Sequence, residues 1–284
     1  MTYNKQNPLR VVTLCSGYDS QCLALNRLKE TYPEFDYTLV AWSEFDPESK
    51  TPLDKQPAVV AHNALFPEYA KKNLGDMTKI DWEKVPDFEL LFYSTPCQSI
   101  SQAGLQHGFT EGSGTRSSII WNVRDAVKIK RPKYLCLENV KAMVTSKFVG
   151  MFNMWQRELE RLGYVNFAQI LNAKDYGVPQ NRERIFLVSI RMDGWMDGCR
   201  YYFPKPFPLK RRLKDVLEEN VDEKYYLSDK MLEYFNRVDA DKTHGHNFTP
   251  KQREDIGFTI RTAPGTRVDD NFVEDEDICE HPPI

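Results

Sequence analysis

The sequence lacks the long apolar run that a membrane-spanning helix needs, since no stretch of about 18 apolar residues occurs in it. Its start, Met1 to Arg10, also lacks the basic and then apolar pattern of a secretory signal. Its six cysteines are scattered, without the close pairs of a zinc site or the density of a disulfide scaffold. We therefore expect a cytoplasmic protein with reduced thiols, no metal site and no membrane contact.

A strong positive charge is absent too, because the formal net charge is −3. This argues mildly against a nucleic-acid partner, since phosphate binding needs clustered lysine and arginine. The net charge of the whole chain hides an uneven distribution, however, because Asp269 to Glu280 contain seven acids and no base. Bases cluster at Lys128 to Lys133 and at Lys210 to Lys214, although a solvated surface is the simpler interpretation of each cluster alone.

Short apolar runs alternate with helical patterns over the first 200 residues, which predicts an α/β fold with a doubly wound, mostly parallel sheet. The 284 residues and the hydrophobic content of 41% suffice for one large domain and part of a second. The predicted strands are Leu9–Leu14, Tyr37–Trp42, Leu90–Tyr93, Tyr134–Leu137, Val165–Leu171 and Ile185–Ile190. The first predicted helix follows Ser20 and ends at Tyr32. Two further helices are predicted over Ser117–Ile129 and Phe148–Leu162.

A change of composition follows Arg200, where Tyr201 to Pro208 mix aromatic residues with prolines. Such a stretch often marks a domain boundary. We therefore expect one domain over residues 1–200 and a second region over 201–284. The second region contains a helical candidate near Leu227 to Phe235 and ends in the acidic tail, which we expect to fray.

Reactive side chains follow the predicted strands, and ligands of open α/β sheets bind beyond the carboxyl ends of the strands. Ser16-Gly17 follow the first predicted strand and Glu44 follows the second, while Asp76 is expected beside an additional strand that precedes Leu90–Tyr93. Pro96-Cys97-Gln98 come after the strand Leu90–Tyr93 and Glu138-Asn139-Val140 after the strand Tyr134–Leu137. Taken singly, each has a plain explanation as a turn glycine, a solvated acid or a structural cysteine. The ordered set is much harder to explain in that way.

The order Pro96-Cys97-Gln98, Glu138-Asn139-Val140 and then Gln180 to Arg184 resembles the cytosine-5 DNA methyltransferases over about residues 9 to 205. The resemblance implies a Rossmann-like fold that binds S-adenosylmethionine, followed by a small target-recognition region. It further implies a bacterial or phage-encoded enzyme of DNA methylation, of the kind found in restriction-modification systems, with double-stranded DNA as its partner.

The chemistry of cytosine explains why this family needs a cysteine, because C5 is a poor nucleophile until a thiolate adds to C6. The resemblance implies that Cys97 makes this attack, that Glu138 engages N3, and that Arg182 and Arg184 hold the base. A stacked base is out of reach, so the cytosine must be flipped out of the duplex. Ser99 to Arg116 resemble the mobile loop that closes over the base, although an ordinary surface loop is the plain alternative. Implied substrate contacts are Gln98, Ser99, Arg116 and Gln180.

The segment from Leu14 to Ser20 departs from the family, whose members usually show a phenylalanine and more glycines there. Only Gly17 matches cleanly, and Cys15 and Asp19 depart from the pattern. Glu44 matches the acid that binds the ribose hydroxyls, with its aromatic neighbour expected against adenine, and Asp76 matches the acid that meets the adenine amino group. The implied cofactor contacts are Cys15, Ser16, Gly17, Glu44, Phe45, Asp76, Met77 and Pro96.

Family members usually continue into a closing segment that completes the cofactor pocket. Gly257 to Thr262 resemble the end of the recognition region, and the sequence ends at Ile284. We expect the closing segment to be missing, by truncation or because a second polypeptide supplies it. A degenerate relative that binds DNA or cofactor without reacting stays open, as does a tRNA cytosine-5 methyltransferase. Which DNA sequence is recognised does not follow from these residues.

Overall fold

Strands and helices alternate along most of the chain. A computed structural model describes residues 3–96, 108–114, 116–194, 200–219, 221–240, 250–260 and 271–274. The strands are β1 (Leu9–Leu14), β2 (Tyr37–Ser43), β3 (Leu90–Tyr93), β4 (Tyr134–Val140), β5 (Tyr164–Asn172), β6 (Gln180–Asn181), β7 (Glu183–Arg191) and β8 (Gly257–Phe258). The α-helices are α1 (Ser20–Thr31), α2 (Pro57–Leu65), α3 (Val123–Lys130), α4 (Val149–Arg161) and α5 (Asp229–Ala240).

The large sheet has six strands in the order β2-β1-β3-β4-β7-β5. Strands β2, β1, β3 and β4 pair in parallel, whereas β7 runs antiparallel to β4. Strand β1 is buried at every position except Arg10, the pattern of a strand covered on both faces. The predicted mostly parallel α/β sheet is therefore confirmed.

Helices cover both faces of this sheet, as alternate residues of β1 reveal. Val11 belongs to one apolar cluster, which includes Leu25 of α1 and Val59 of α2. Val12 belongs to a second cluster, which includes buried side chains of α3 and α4 such as Trp155. Successive side chains of a strand point to opposite faces, so the two clusters lie on opposite sides of the sheet. This arrangement makes the sheet doubly wound.

Two differences from the sequence-based expectation concern the segments that carry candidate site residues. The strand expected near Asp76 does not form, because Gly75 takes a positive φ of 69° and Asp76 caps a short 3-10 turn over Met77–Lys79. In that neighbourhood only Asn73 joins the sheet, through a single bridge to Trp42. Strand β4 also runs further than expected, so Glu138-Asn139-Val140 are its last residues rather than the loop after it.

The basic cluster Lys128 to Lys133 lies at the end of α3 and immediately before the amino end of β4. Lys130 forms an ion pair with Asp87 at 3.2 Å. The reactive residues lie at the carboxyl ends of the parallel strands. This cluster therefore lies at the other end of these strands, the amino end.

The chain divides into two compact units. The first comprises Met1–Ile170 and Arg184–Phe203, and the second comprises Leu171–Glu183 and Pro204–Ile284. In the second unit β6 pairs in parallel with β8. No helix in the described ranges combines the length and apolar character that crossing a membrane would require.

Candidate active site

A cavity of about 650 Å³ lies beyond the carboxyl ends of β1 and β2. Its size falls within the range of roughly 300–1,000 Å³ that is common for small-molecule pockets. Seven of the eight expected cofactor contacts line it: Cys15, Gly17, Glu44, Phe45, Asp76, Met77 and Pro96. The eighth, Ser16, does not line the cavity but is buried behind it, where its backbone N–H donates to the Ser43 carbonyl at 3.2 Å.

The loop after β1 is unusual because three of its residues have positive φ. These are Cys15 at 51°, Gly17 at 57° and Asp19 at 62°. The loop thereby turns the Gly17 N–H toward Glu44, whose Oε2 accepts its hydrogen bond at 2.7 Å. Burial raises the pKa of Glu44 above its ordinary value, although the bond from Gly17 opposes this effect. Glu44 is therefore a partly enclosed acid held against a backbone amide.

Asp76, a further acid that lines the cavity, is stabilised in its charged form. Its Oδ1 accepts hydrogen bonds from the Thr78 backbone N–H at 3.0 Å and from the Thr78 hydroxyl at 2.7 Å. Lys79 approaches its other oxygen at 3.2 Å. Partial burial raises the pKa of Asp76, but the bonds from Thr78 and Lys79 outweigh it and hold the pKa below its usual value.

Two amide side chains that the motifs do not include hold the walls of the cavity. The Asn73 Oδ1 accepts from the backbone N–H of Gly75 at 2.9 Å and from that of Glu44 at 3.2 Å. Asn73 thus ties the two acid-bearing loops to each other. Gln56 is buried, and its Oε1 accepts from the Asp46 backbone N–H at 2.8 Å. No motif or periodic pattern marks either residue in the sequence.

The segment before the expected nucleophile is fixed to the neighbouring strand. Cys97 itself lies outside the described residues, as do Gln98 and Ser99, and the Arg116 side chain is not described either. The Asn139 Nδ2 donates to the Thr95 carbonyl at 2.9 Å, and both residues are buried. This bond joins the end of β4 to the backbone two residues before Cys97.

Glu138 and Arg184 form an ion pair at the same end of the sheet, with 3.1 Å between Glu138 Oε1 and Arg184 Nε. Val140 is paired with Arg184 in the antiparallel ladder of β4 and β7. Glu138 is therefore the diagonal neighbour of Arg184 on one face of the sheet, within reach of long side chains. Both side chains keep some exposure, 29% for Glu138 and 16% for Arg184. A carboxyl group and a guanidinium group can thus meet a ligand together.

The other implied contacts of this motif belong to the second unit. The Arg182 backbone N–H donates to Asn172 Oδ1 at 3.0 Å. Gln180 lies in β6 and is paired with Gly257 of β8. The sequence segment that resembles the end of a recognition region therefore pairs directly with Gln180 and Asn181.

The end of the long loop after Cys97 is anchored in the first unit. Phe109 is fully buried, and its carbonyl accepts from Trp121 Nε1 at 2.9 Å. Glu111 forms an ion pair with Arg124 of α3 at 2.6 Å. Residues 108–114 are thus held against the body of this unit, an attachment that the loop's glycine and serine content does not reveal.

Two other thiols of the chain are poorly suited to nucleophilic attack. Burial, with a smaller effect from the charge of Glu138, raises the pKa of the Cys136 thiol to about 12. Burial and the nearby carboxylate of Asp19 raise the pKa of Cys22 as well. Because the thiolate is the reactive form, both remain protonated and unreactive near neutral pH.

Comparison with known proteins identifies the family of the chain. The family model described as C-5 cytosine-specific DNA methylase matches residues 9–271. The chain belongs to this family.

Relatives of the chain include proteins from bacteria and phages. It is 47% identical over 161 residues to Type II methyltransferase M2.ScrFI of Lactococcus lactis subsp. cremoris, a match that covers 57% of the chain and 44% of the relative. It is 33% identical over 247 residues to Orphan methyltransferase M.Rho11sI of Bacillus phage rho11s, covering 78% and 46% respectively. The chain thus spans about half the length of the curated relatives it matches.

A solved structure supports the fold. A mutant of DNMT2 from Spodoptera frugiperda superposes with a TM-score of 0.68 at 17% identity, covering 96% of this chain and 77% of that one.

Proposed function

We propose that this chain is the catalytic part of a DNA (cytosine-5-)-methyltransferase, which transfers a methyl group from S-adenosylmethionine to C5 of a flipped cytosine. The observation that carries the proposal is the hydrogen bond from Asn139 to the Thr95 carbonyl. It brings the backbone before Cys97 to the strand end that bears Glu138. A nucleophile and a carboxyl group that engages N3 have to act on the same ring, so their strand ends have to be joined closely.

The cavity beside β1 and β2 fits S-adenosylmethionine by its chemistry. Glu44 offers a carboxylate to the ribose hydroxyls, and the exposed ring of Phe45 offers a surface to adenine. Asp76, held in its charged form, offers an acceptor to the adenine amino group. When bound there, S-adenosylmethionine supplies an electrophilic methyl group.

Each protein group then has one task in the reaction. The Cys97 thiolate forms a bond to C6, and Glu138 stabilises the charge that develops at N3. Arg184, paired with Glu138, holds the base from the β7 side, and Arg182 acts on the base or the nearby phosphate. After C5 has taken the methyl group, loss of the C5 proton returns electrons to the ring, expels Cys97 and restores the aromatic system.

We assign the catalytic and cofactor-binding roles to residues 1–200 and target recognition to residues 201–284, with double-stranded DNA as the partner. Gln98, Ser99, Arg116 and Gln180 are proposed as substrate contacts. A cytoplasmic location and a second polypeptide that supplies a closing segment stay predictions. A marked gain in methylation rate when the product of a neighbouring reading frame is added would support the second polypeptide.

Methyl transfer from radiolabelled S-adenosylmethionine tests the proposal, with duplex DNA and tRNA offered in competition. We expect the label to appear in DNA. It should be lost in Cys97→Ser and kept in Cys136→Ser, the matched control that removes a protonated thiol. Label in tRNA alone would favour the RNA-modifying alternative. Binding of DNA and cofactor without transfer, under any of these conditions, would favour a non-catalytic binding protein.

A further inference from the structure

Asp19 is a fully buried acid at the end of the cofactor loop, at a position where the backbone is left-handed. Its Oδ2 accepts from the Thr13 hydroxyl at 2.7 Å, and its Oδ1 accepts from the Cys22 backbone N–H at 3.2 Å, which caps α1. Aspartate is among the few residues besides glycine that tolerate this conformation. A buried carboxylate is costly without partners, so a residue that served only to make the turn would not need this charge.

His62 of α2 provides a third contact to this carboxylate. Its side chain is fully buried, and its Nε2 lies 3.5 Å from Asp19 Oδ2. The imidazole ring stacks on the Trp42 indole with 3.6 Å between ring centroids and 13° between planes. Neither ring nitrogen has a hydrogen-bond partner within the described ranges, so Asp19 is the group that His62 faces.

These contacts connect two strand ends that border the cavity. Asp19 lies two residues after Gly17, and Trp42 lies two residues before Glu44. His62 therefore contacts one residue on each side, two positions away from Gly17 and from Glu44, which are the partners of the hydrogen bond between the Gly17 N–H and Glu44 Oε2. A shift of either partner would change the direction in which the Glu44 carboxylate points.

We propose that Asp19 and His62 are positioning residues, which act through Gly17 and Glu44 to aim the Glu44 carboxylate at the ribose hydroxyls of the cofactor. The inference rests on the proposed function, since Glu44 needs a ribose to act on.

The test compares S-adenosylhomocysteine with its 3′-deoxy analogue by isothermal titration calorimetry. The variants are His62→Phe, which keeps an aromatic ring against Trp42, Asp19→Gly, which tolerates the left-handed backbone, and the double variant. Tyr164→Phe is the matched control. It removes a buried hydrogen bond to the Pro132 carbonyl at 2.6 Å, on the opposite edge strand of the sheet.

We expect the unsubstituted chain to prefer S-adenosylhomocysteine over the 3′-deoxy analogue by about tenfold or more, as for one hydrogen bond to a charged group. In each single variant the preference should fall below about threefold, and the double variant should lose no more than the single ones, because the two residues form one unit. Tyr164→Phe should lower the melting temperature and leave the preference intact.

A preference that survives in His62→Phe and Asp19→Gly, with only the melting temperature lowered, would overturn the inference and leave the proposed function standing. If the double variant loses more of the preference for S-adenosylhomocysteine than either single variant, the inference is likewise overturned and the proposed function stands. An unsubstituted chain that binds neither ligand would overturn the proposed function and the inference together.

Discussion

Asn139→Ala removes the contact that joins the two reactive strand ends. Asn139 is 3% exposed, and its Nδ2 lies 2.9 Å from the Thr95 carbonyl oxygen. Losing the donor leaves this carbonyl buried without its partner, at a cost of about 1–3 kcal/mol. If that cost falls on the placement of the backbone before Cys97, formation of the covalent adduct should slow by about 5-fold to 150-fold.

The assay is the single-turnover rate at which the chain is trapped on duplex DNA that contains 5-fluorocytosine. Asn139→Asp should be impaired at least as much as Asn139→Ala, because it turns an acceptor toward the Thr95 carbonyl. Asn166→Ala is the matched control, since the Asn166 Nδ2 donates to the Gln156 carbonyl at the same distance of 2.9 Å but contacts α4 instead.

The bond from Asn139 to Thr95 does not position the nucleophile if Asn139→Ala is trapped at the unsubstituted rate and only melts at a lower temperature. The same conclusion follows if Asn166→Ala slows trapping as much as Asn139→Ala does. Either result would mean that the bond to Thr95 stabilises the fold without positioning the nucleophile.

Three further predictions follow from the same geometry. Arg184→Lys should slow single-turnover methylation by about tenfold or more, because an ammonium group does not reproduce the guanidinium contact with Glu138. Glu44→Gln should raise the melting temperature at neutral pH while weakening cofactor binding. The raised pKa of Glu44 means that its charged form weakens the folded state, so this gain should shrink in thermal scans as the pH falls from neutral toward the ordinary value of 4.5 and should be absent below it. Gly17→Ala should lower the melting temperature by about 2–4 °C and reduce calorimetric affinity for S-adenosylhomocysteine. Its added Cβ meets no atom within 4 Å, so the strain comes from the φ of 57°.

Much of the fold was predictable because parallel strands covered on both faces are nearly continuous apolar runs. The bounds of β1 and β3, Leu9–Leu14 and Leu90–Tyr93, agree residue for residue with the prediction. The sequence pattern gave no comparable signal for α2, which begins at Pro57 and keeps only Val59 and His62 buried. The prediction of a strand near Asp76 was wrong, because the backbone there turns at Gly75 instead of extending.

The site was predictable where a motif names a reactive side chain, and not where a side chain serves the backbone. Glu44 and Asp76, far apart in sequence, line one cavity as expected, although only Glu44 directly follows a strand. Asn73 and Gln56 hold the same cavity through hydrogen bonds to loop amides. Such bonds depend on where loops meet in space, which neither spacing nor periodicity encodes. The contact of His62 with Asp19 is of the same kind.

The most direct test of the central claim is to locate the covalent bond. The chain is incubated with S-adenosylmethionine and duplex DNA containing 5-fluorocytosine, digested, and analysed by mass spectrometry. The fluorine at C5 cannot leave as a proton does, so the enzyme stays attached to C6. We expect an adduct on the peptide that contains Cys97. This adduct should be lost in Cys97→Ser and retained in Cys136→Ser. An adduct that persists in Cys97→Ser, or its absence from the unsubstituted chain, would contradict this expectation.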